Sequence, residues 1–405
     1  MQVRIIKWIC FFLLISLLST SAQTVKTGLD RVGSYYHLFE GKRLGIVTNH
    51  TALNAKGQHI TDVFKDMKNV TVAALFGPEH GVRGNAADGQ KIESETEAEI
   101  PVYSLYGKTK KPNSEMLKNV DLLVFDIQDI GARFYTYVWT MSYVMDAAEE
   151  NNIPLVVLDR PNPITCKIVE GNCADTSTFV GRFPIPVRHG MTIGELAKLF
   201  KGESWISSNL DLTIVPLQNW KREYWFDQTE LTFTAPSPNM PNLETATVYP
   251  GMCLLEGTNL SEGRGTDKPF IIFGAPWIDS KNLRNHLESL QFDGVSFTDT
   301  TFIPVTIPGK AVRPKFENKK CNGLKVIVDD REKYKSYQTG VFLINALYQL
   351  YPGQLEFKRK HFDRLAGSSK IRRAILGGSS KEELKTLISL GLDSFKQKRE
   401  KNLLY

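Results

Sequence analysis

The chain has 405 residues, 42% of them hydrophobic, and a formal net charge of +6. That composition excludes a disordered chain, and the length exceeds what one ordinary core uses, so two folded parts are expected. The charge is too weak and too scattered for a nucleic-acid-binding protein, and the late basic runs at 358–364 and 396–401 read as solvated helix faces.

Arg4 and Lys7 precede an apolar run at 8–18, followed by Ser19, Thr20, Ser21 and Ala22. This is the three-part form of a signal peptide, expected to span residues 1–22. The run falls short of the roughly 20 apolar residues of a spanning helix. An exported protein, periplasmic or extracellular and without stable membrane insertion, is therefore expected. Cys166, Cys173, Cys253 and Cys321 then remain. In an oxidising compartment Cys166 and Cys173 could close a short disulfide loop, although four thiols permit three pairings.

Four apolar, β-rich runs follow, each ending in a polar cluster. Residues 44–47 lead into Thr48-Asn49-His50, and 70–76 into Gly77-Pro78-Glu79-His80. Residues 120–125 lead into Asp126-Ile127-Gln128-Asp129, and 155–158 into Asp159-Arg160-Pro161-Asn162. Segments 59–67 and 137–150 between them have helical character. Continuous apolar strands alternating with helices predict an α/β fold whose parallel sheet is covered on both faces. Ligands of such sheets gather outside the carboxyl ends of the strands, so these clusters are expected to share one rim. Each alone could equally cap a helix or shape a turn; four together favour a site.

Further on, Arg188 and His189 precede a helix opened by a capping box of Thr192 and Glu195. The stretch "APSPNMPNLETA", residues 235–246, contains three prolines that fit neither a helix interior nor a central strand. It reads as the passage between an N-terminal part, 23–240, and a C-terminal part, 241–405. Beyond it, "LLEGTNLSEGRGTDKPF", residues 254–270, gathers carboxylates, glycines and Arg264 in one loop, either a second cleft wall or a solvent-exposed turn.

Familiar catalytic signatures are missing from the sequence: G-x-S-x-G, S-x-x-K, H-E-x-x-H, the Walker A loop and G-x-G-x-x-G. No cofactor is expected, and no metal, because Glu79 and His80 lack further regularly spaced ligands. Carboxylates, amides and aromatics are abundant, and they suit a sugar site in which one carboxylic acid protonates the leaving oxygen while another supports the cationic transition state. Among Phe134, Tyr135, Tyr137, Trp139, Trp220, Tyr224, Trp225, Tyr249 and Trp277, one or two are expected at a ligand and the rest in the core.

The motifs "GPEHGVRG", "VYSLYG", "VDLLVFDIQDIGARFYTYVWTM", "VVLDRPNPI", "PIPVRHGMTIGELA", "PSPNMP", "YPGMCLLEGTNLSEGRGTDKPF", "GAPW" and "FDRLAGSSKIRRAI" occur in this order. Over nearly all of the mature chain they resemble the NamZ-type exo-β-N-acetylmuramidases, with Val82 departing from the aromatic more usual in the first motif. The resemblance implies a Rossmann-like domain and a smaller α/β domain flanking an active-site cleft. It also implies release of non-reducing-terminal N-acetylmuramic acid (MurNAc) from peptidoglycan-derived fragments such as MurNAc-GlcNAc.

Carried over, Glu79 is the catalytic carboxylate, most naturally the general acid, with His80 beside it. Glu262 ranks first as the second group, ahead of Asp126, Asp129 and Glu256. The separation of the two carboxyls would distinguish inversion from retention, and assistance by the 2-acetamido group is a third route. Substrate-binding candidates are Asn49, His50, Gln128, Arg133, Tyr135, Arg160, Asn162, Arg188, His189, Asn239, Glu256, Asn259 and Arg264. Of these, Arg133, Arg160, Arg188 and Arg264 could read the lactyl carboxylate of MurNAc, since a guanidinium fork matches a carboxylate. Two rival functions remain: a non-catalytic cell-wall sugar-binding protein and a metal-dependent sugar deacetylase or esterase.

Overall fold

The computed structural model describes residues 24–84, 95–97 and 100–405; the expected signal peptide lies outside the described residues. In the N-terminal part, strands β1 (Arg43–Thr48), β2 (Thr71–Gly77), β3 (Glu95–Glu97), β4 (Ile100–Ser104), β5 (Leu122–Asp126), β6 (Leu155–Leu158) and β7 (Leu212–Val215) form one sheet in the order β3-β4-β2-β1-β5-β6-β7. Six of them pair in parallel, and β3 lies antiparallel along the β4 edge. Setting β3 aside, the order is that of a doubly wound dinucleotide-type fold, with its reversal between β1 and β5.

The central strands are buried on both faces, as their unbroken apolar runs require. Leu44, Ile46, Leu122 and Val124 join one core with Phe39, Ile60 and Phe64. Val47, Leu123 and Phe125, one residue out of phase, join the larger core on the opposite face. Helix α1 (Ile60–Lys65) covers the first face; α2 (Ser114–Leu117) links β4 to β5. Helices α3 (Tyr137–Glu150) and α4 (Ile193–Gly202) belong to the second face. The capping box read at Thr192 and Glu195 is present at the start of α4.

Helix α5 (Leu243–Met252) follows the proline-rich stretch and leads to a second sheet of β8 (Ile272–Ala275), β9 (Val295–Phe302) and β10 (Cys321–Val328), antiparallel in the order β8-β10-β9. Six more helices complete this part: α6 (Ser280–Ser289), α7 (Ser336–Leu350), α8 (Arg359–Ala366), α9 (Lys370–Leu376), α10 (Lys381–Leu387) and α11 (Leu392–Glu400). Helices α5 and α7 cross where Gly251 meets Gly340; a Cβ on Gly251 would lie 1.9 Å from the Ser336 carbonyl oxygen. Only glycine permits so close a backbone approach.

The two parts share one continuous core, and polar contacts fasten them. Arg133 donates to Leu365 O at 3.0 Å, and Arg399 to Cys166 O at 2.8 Å. All four described cysteines are free thiols, so no disulfide joins Cys166 to Cys173. Cys166 packs with Val25, Leu217 and Trp220, whereas Cys173 is held through its amide to Leu390 O at 2.9 Å. Among the described residues no helix is long and apolar enough to cross a membrane.

Candidate active site

The chain leaves β2 through two tight turns, in which Gly81 N donates to Pro78 O at 2.9 Å and Gly84 N to Gly81 O at 3.2 Å. His80 takes a φ of +71°, a left-handed conformation that costs a non-glycine residue on the order of 1 kcal/mol. Gly84 is also left-handed, and a Cβ there would lie 1.8 Å from the His50 ring. His50 in turn meets Ala235 O through Nε2 at 2.7 Å. A carbonyl only accepts, so Nε2 carries the hydrogen, and burial lowers the pKa of the ring further toward this neutral form. The ends of β1 and β2 are thus fixed to the proline-rich stretch.

This turn sets Glu79 and His80 in the wall of a cavity of about 370 Å³, within the range of small-molecule sites. Both parts of the chain line it. The N-terminal part supplies Glu79, His80, Tyr106, the 134–137 segment, Phe179, Val180, Ser237, Asn239 and Met240; the C-terminal part supplies Tyr249, Glu256, Arg264, Phe270, His361, Arg364 and Leu365. Glu79 is half-buried, and its Oε2 accepts from Thr136 Oγ1 at 2.8 Å. Among the described residues it forms no ion pair.

Glu256 has the opposite environment. Its Oε1 accepts from Arg264 Nη2 at 2.7 Å and Nε at 3.1 Å, and its Oε2 lies 3.7 Å from His361 Nε2. Burial opposes its charge, but Arg264 and His361 outweigh burial and hold its pKa well below the usual carboxylate range. Arg364 Nη2 lies 2.7 Å from His361 Nδ1. An arginine only donates, so Nδ1 accepts and Nε2 bears the hydrogen directed at Glu256.

Seven aromatic rings line the cavity: Phe134, Tyr135, Tyr137 and Tyr249, which are among the nine singled out in the sequence, and Tyr106, Phe179 and Phe270, which are not. Several interlock edge to face, with centroids 4.9 Å apart for Tyr135 and Tyr137 and 4.8 Å for Tyr249 and Phe270. The Asn239 amide donates to Lys310 O at 2.7 Å, while its buried Oδ1 has no partner among the described residues.

Of the residues read from sequence, Glu79, His80, Tyr135, Asn239, Glu256 and Arg264 line this cavity together. Glu262 does not; it borders an adjoining depression of about 270 Å³, where its carboxylate pairs with Lys315 at 2.9 Å and faces Arg264 at 3.6 Å. Asp126 is also absent, being fully buried and paired through both oxygens with Arg160. Arg160 and Gln128 face a separate cavity of about 220 Å³ beside the β1 and β5 ends, where the strand order reverses.

The remaining candidates hold the scaffold. Asn49 Oδ1 accepts from Thr51 N at 3.0 Å, and Asn162 Nδ2 donates to Met191 O at 3.1 Å. Arg133 donates to the carbonyls of Asn172, Ile185 and Leu365, and Arg188 to that of Ile164. His189 lies 3.7 Å from Asp129, whose Oδ2 accepts from Gly131 N at 2.7 Å. Asn259 bridges the Gln354 carbonyl and the Glu356 amide. The single rim expected from the strand ends is therefore divided between two cavities and a buried network.

Sequence reasoning missed Thr136, Phe179, Ser237, His361 and Arg364 as cavity residues. Two of these, His361 and Arg364, belong to the run 358–364 read as a solvated face. The signal available was their i, i+3 spacing, which sets both on one side of α8.

The chain matches the N-terminal family description "Exo-beta-N-acetylmuramidase NamZ" over residues 44–244 and the C-terminal one over 247–405. Peptidoglycan beta-N-acetylmuramidase NamZ of Bacillus subtilis is 46% identical over 387 residues, 94% of this chain and 91% of that protein. Crystal structures of two DUF1343 family proteins from Bacteroides fragilis align with TM-scores of 0.87 and 0.76 at 35% and 34% identity, each over 94% of this chain and 99% of the other. A two-part α/β protein with a carboxylate-bearing cavity lined from both parts is the class that these features define. The chain belongs to the NamZ exo-β-N-acetylmuramidase family.

Proposed function

We propose that the chain is an exo-acting glycoside hydrolase that releases non-reducing-terminal MurNAc from peptidoglycan fragments such as MurNAc-GlcNAc, and that the cavity between its two parts is the active site. One observation carries the reading: two carboxylates share one aromatic-walled cavity, Glu256 ion-paired with Arg264 and Glu79 meeting only a hydroxyl donor among the described residues. Such divergent environments assign acid and ionised roles in glycosidases. Arg264 and His361 commit Glu256 to its charged form. Glu79, which meets a hydroxyl donor and no described cation, is left to deliver the proton.

In the proposed step the Glu79 carboxyl protonates the glycosidic oxygen as its bond to C1 breaks, and the Glu256 carboxylate supports the positive charge developing on the sugar. Water then adds at C1, and its proton returns to an active-site carboxylate. The open Oδ1 of Asn239 suits a sugar hydroxyl or acetamido N–H. Glu256 takes the place that sequence reasoning gave first to Glu262, because only Glu256 shares the cavity with Glu79.

The test is incubation of the purified protein with MurNAc-GlcNAc, with and without EDTA, followed by mass spectrometry alongside Glu79→Gln. Release of free MurNAc by the wild type, indifferent to EDTA and lost in the variant, is the expected result. An intact disaccharide that still binds would instead favour a sugar-binding protein, and loss on chelation a metal-dependent enzyme.

A further inference from the structure

Resting on the reading above, the geometry points to Arg364 as the residue that recognises the lactyl carboxylate of the terminal sugar, and we infer that it sets selectivity for MurNAc over uncharged hexosamines. The four arginines singled out in the sequence are engaged elsewhere. Arg133, Arg160 and Arg188 are buried and donate to backbone carbonyls or to Asp126. Arg264 lines the cavity, but its Nε and Nη2 both serve Glu256. Arg364 lines the same cavity, is exposed, and meets no carboxylate among the described residues. Its described partner is Nδ1 of His361, at 2.7 Å.

A guanidinium carries five N–H donors in a planar fork, and this contact uses one of them. The cavity therefore presents a permanent positive charge with spare donors beside the ionised Glu256, which would repel a substrate anion. The lactyl group is the anionic feature of MurNAc that N-acetylglucosamine lacks, so a fork left open in this wall has a matching partner on one sugar only. A lysine would supply the charge without the bidentate geometry.

The experiment compares kcat/KM for MurNAc-GlcNAc with that for the same disaccharide carrying a lactamide in place of the lactyl carboxylate, in wild type, Arg364→Gln and Arg364→Lys. The wild type should prefer the carboxylate by about ten- to a hundred-fold, the range of a charge-assisted hydrogen-bonded pair. Arg364→Gln should bring the ratio toward one, and Arg364→Lys should leave an intermediate ratio. Both substrates meet the same His361 and Glu256, so any disturbance passing through those residues cancels in the ratio.

Calorimetric binding of free MurNAc and its lactamide runs in parallel on the same three proteins. A wild type that binds but cleaves neither disaccharide sinks the hydrolase reading while the binding ratio still judges Arg364. Selectivity that survives intact in Arg364→Gln, in turnover or in binding, overturns the inference.

Discussion

Three strand ends in this sheet carry clusters that look alike in sequence, and in the structure the one after β2 behaves differently from those after β5 and β6. After β2, Glu79 and His80 enter a cavity, and Glu79 keeps one hydroxyl donor. After β5 and β6, Asp126 and Arg160 saturate each other, while Asp159 accepts from Thr192 Oγ1 and Tyr405 Oη at 2.7 Å, Gly194 N at 2.8 Å and Arg160 N at 3.0 Å. A buried charge is tolerated only when it is paired or hydrogen-bonded, so saturation marks a scaffold. A carboxylate with open valences at a cavity marks chemistry.

Substituting one member of each cluster should separate turnover from stability. Glu79→Gln should lower kcat by about 10²–10⁴-fold, the usual contribution of a general acid, while leaving the urea midpoint almost unchanged because glutamine can still accept from Thr136. Asp126→Asn should do the reverse. Removing one partner of a buried pair costs about 3–5 kcal/mol, visible as a large fall in the urea midpoint, with kcat per folded molecule retained because Asp126 lies outside the cavity. If Asp126→Asn instead stays as stable as wild type and loses turnover, the division drawn here between scaffold and site is the wrong one.

How far this could be read beforehand follows from the same physics. Apolar periodicity is a local property, so the strands after Arg43, Thr71, Leu122 and Leu155, the helices at Ile60 and Tyr137, and the Thr192 cap were all legible. The antiparallel edge strand at Glu95–Glu97 was not, since three residues carry too little pattern. Glu79 was legible because a carboxylate between glycines behind a buried strand is unusual. Glu262 and Glu256 lie six residues apart in one loop, and sequence cannot say which of them turns toward Glu79. Arg364 was hidden for a different reason: an exposed arginine on an amphipathic helix reads as solvated until the opposite wall, built from residues more than a hundred positions earlier, is in place.

Asp159 offers a finer version of the contrast, because a saturated carboxylate still pays attention to pH. Burial lifts its pKa from 3.8 to about 7, against the hydrogen bonds from Tyr405, Gly194 and Thr192 that favour its charged form. The folded state therefore holds a proton between about pH 4 and pH 7 that the unfolded chain has released. Stability from this group is full below that window and falls as pH rises through it, by on the order of 4 kcal/mol at about 1.4 kcal/mol per pH unit. Asp159→Asn should flatten that part of a stability-versus-pH profile measured by urea unfolding.

Tyr405→Phe should have the smallest effect, and its pH dependence is the informative part. The change removes a donor to Asp159 and leaves the Leu217 amide, which donates to Tyr405 Oη at 2.7 Å, without its acceptor. A loss of about 1–3 kcal/mol is expected from the unpaired buried group alone. Because the tyrosine hydrogen bond lowers the Asp159 pKa, its removal penalises the charged carboxylate more than the neutral one. The loss should therefore be larger at pH 8 than at pH 5. Equal losses at the two values would mean that Asp159 does not titrate across this interval, and its cluster would then be a fixed polar network like that of Asp126 and Arg160.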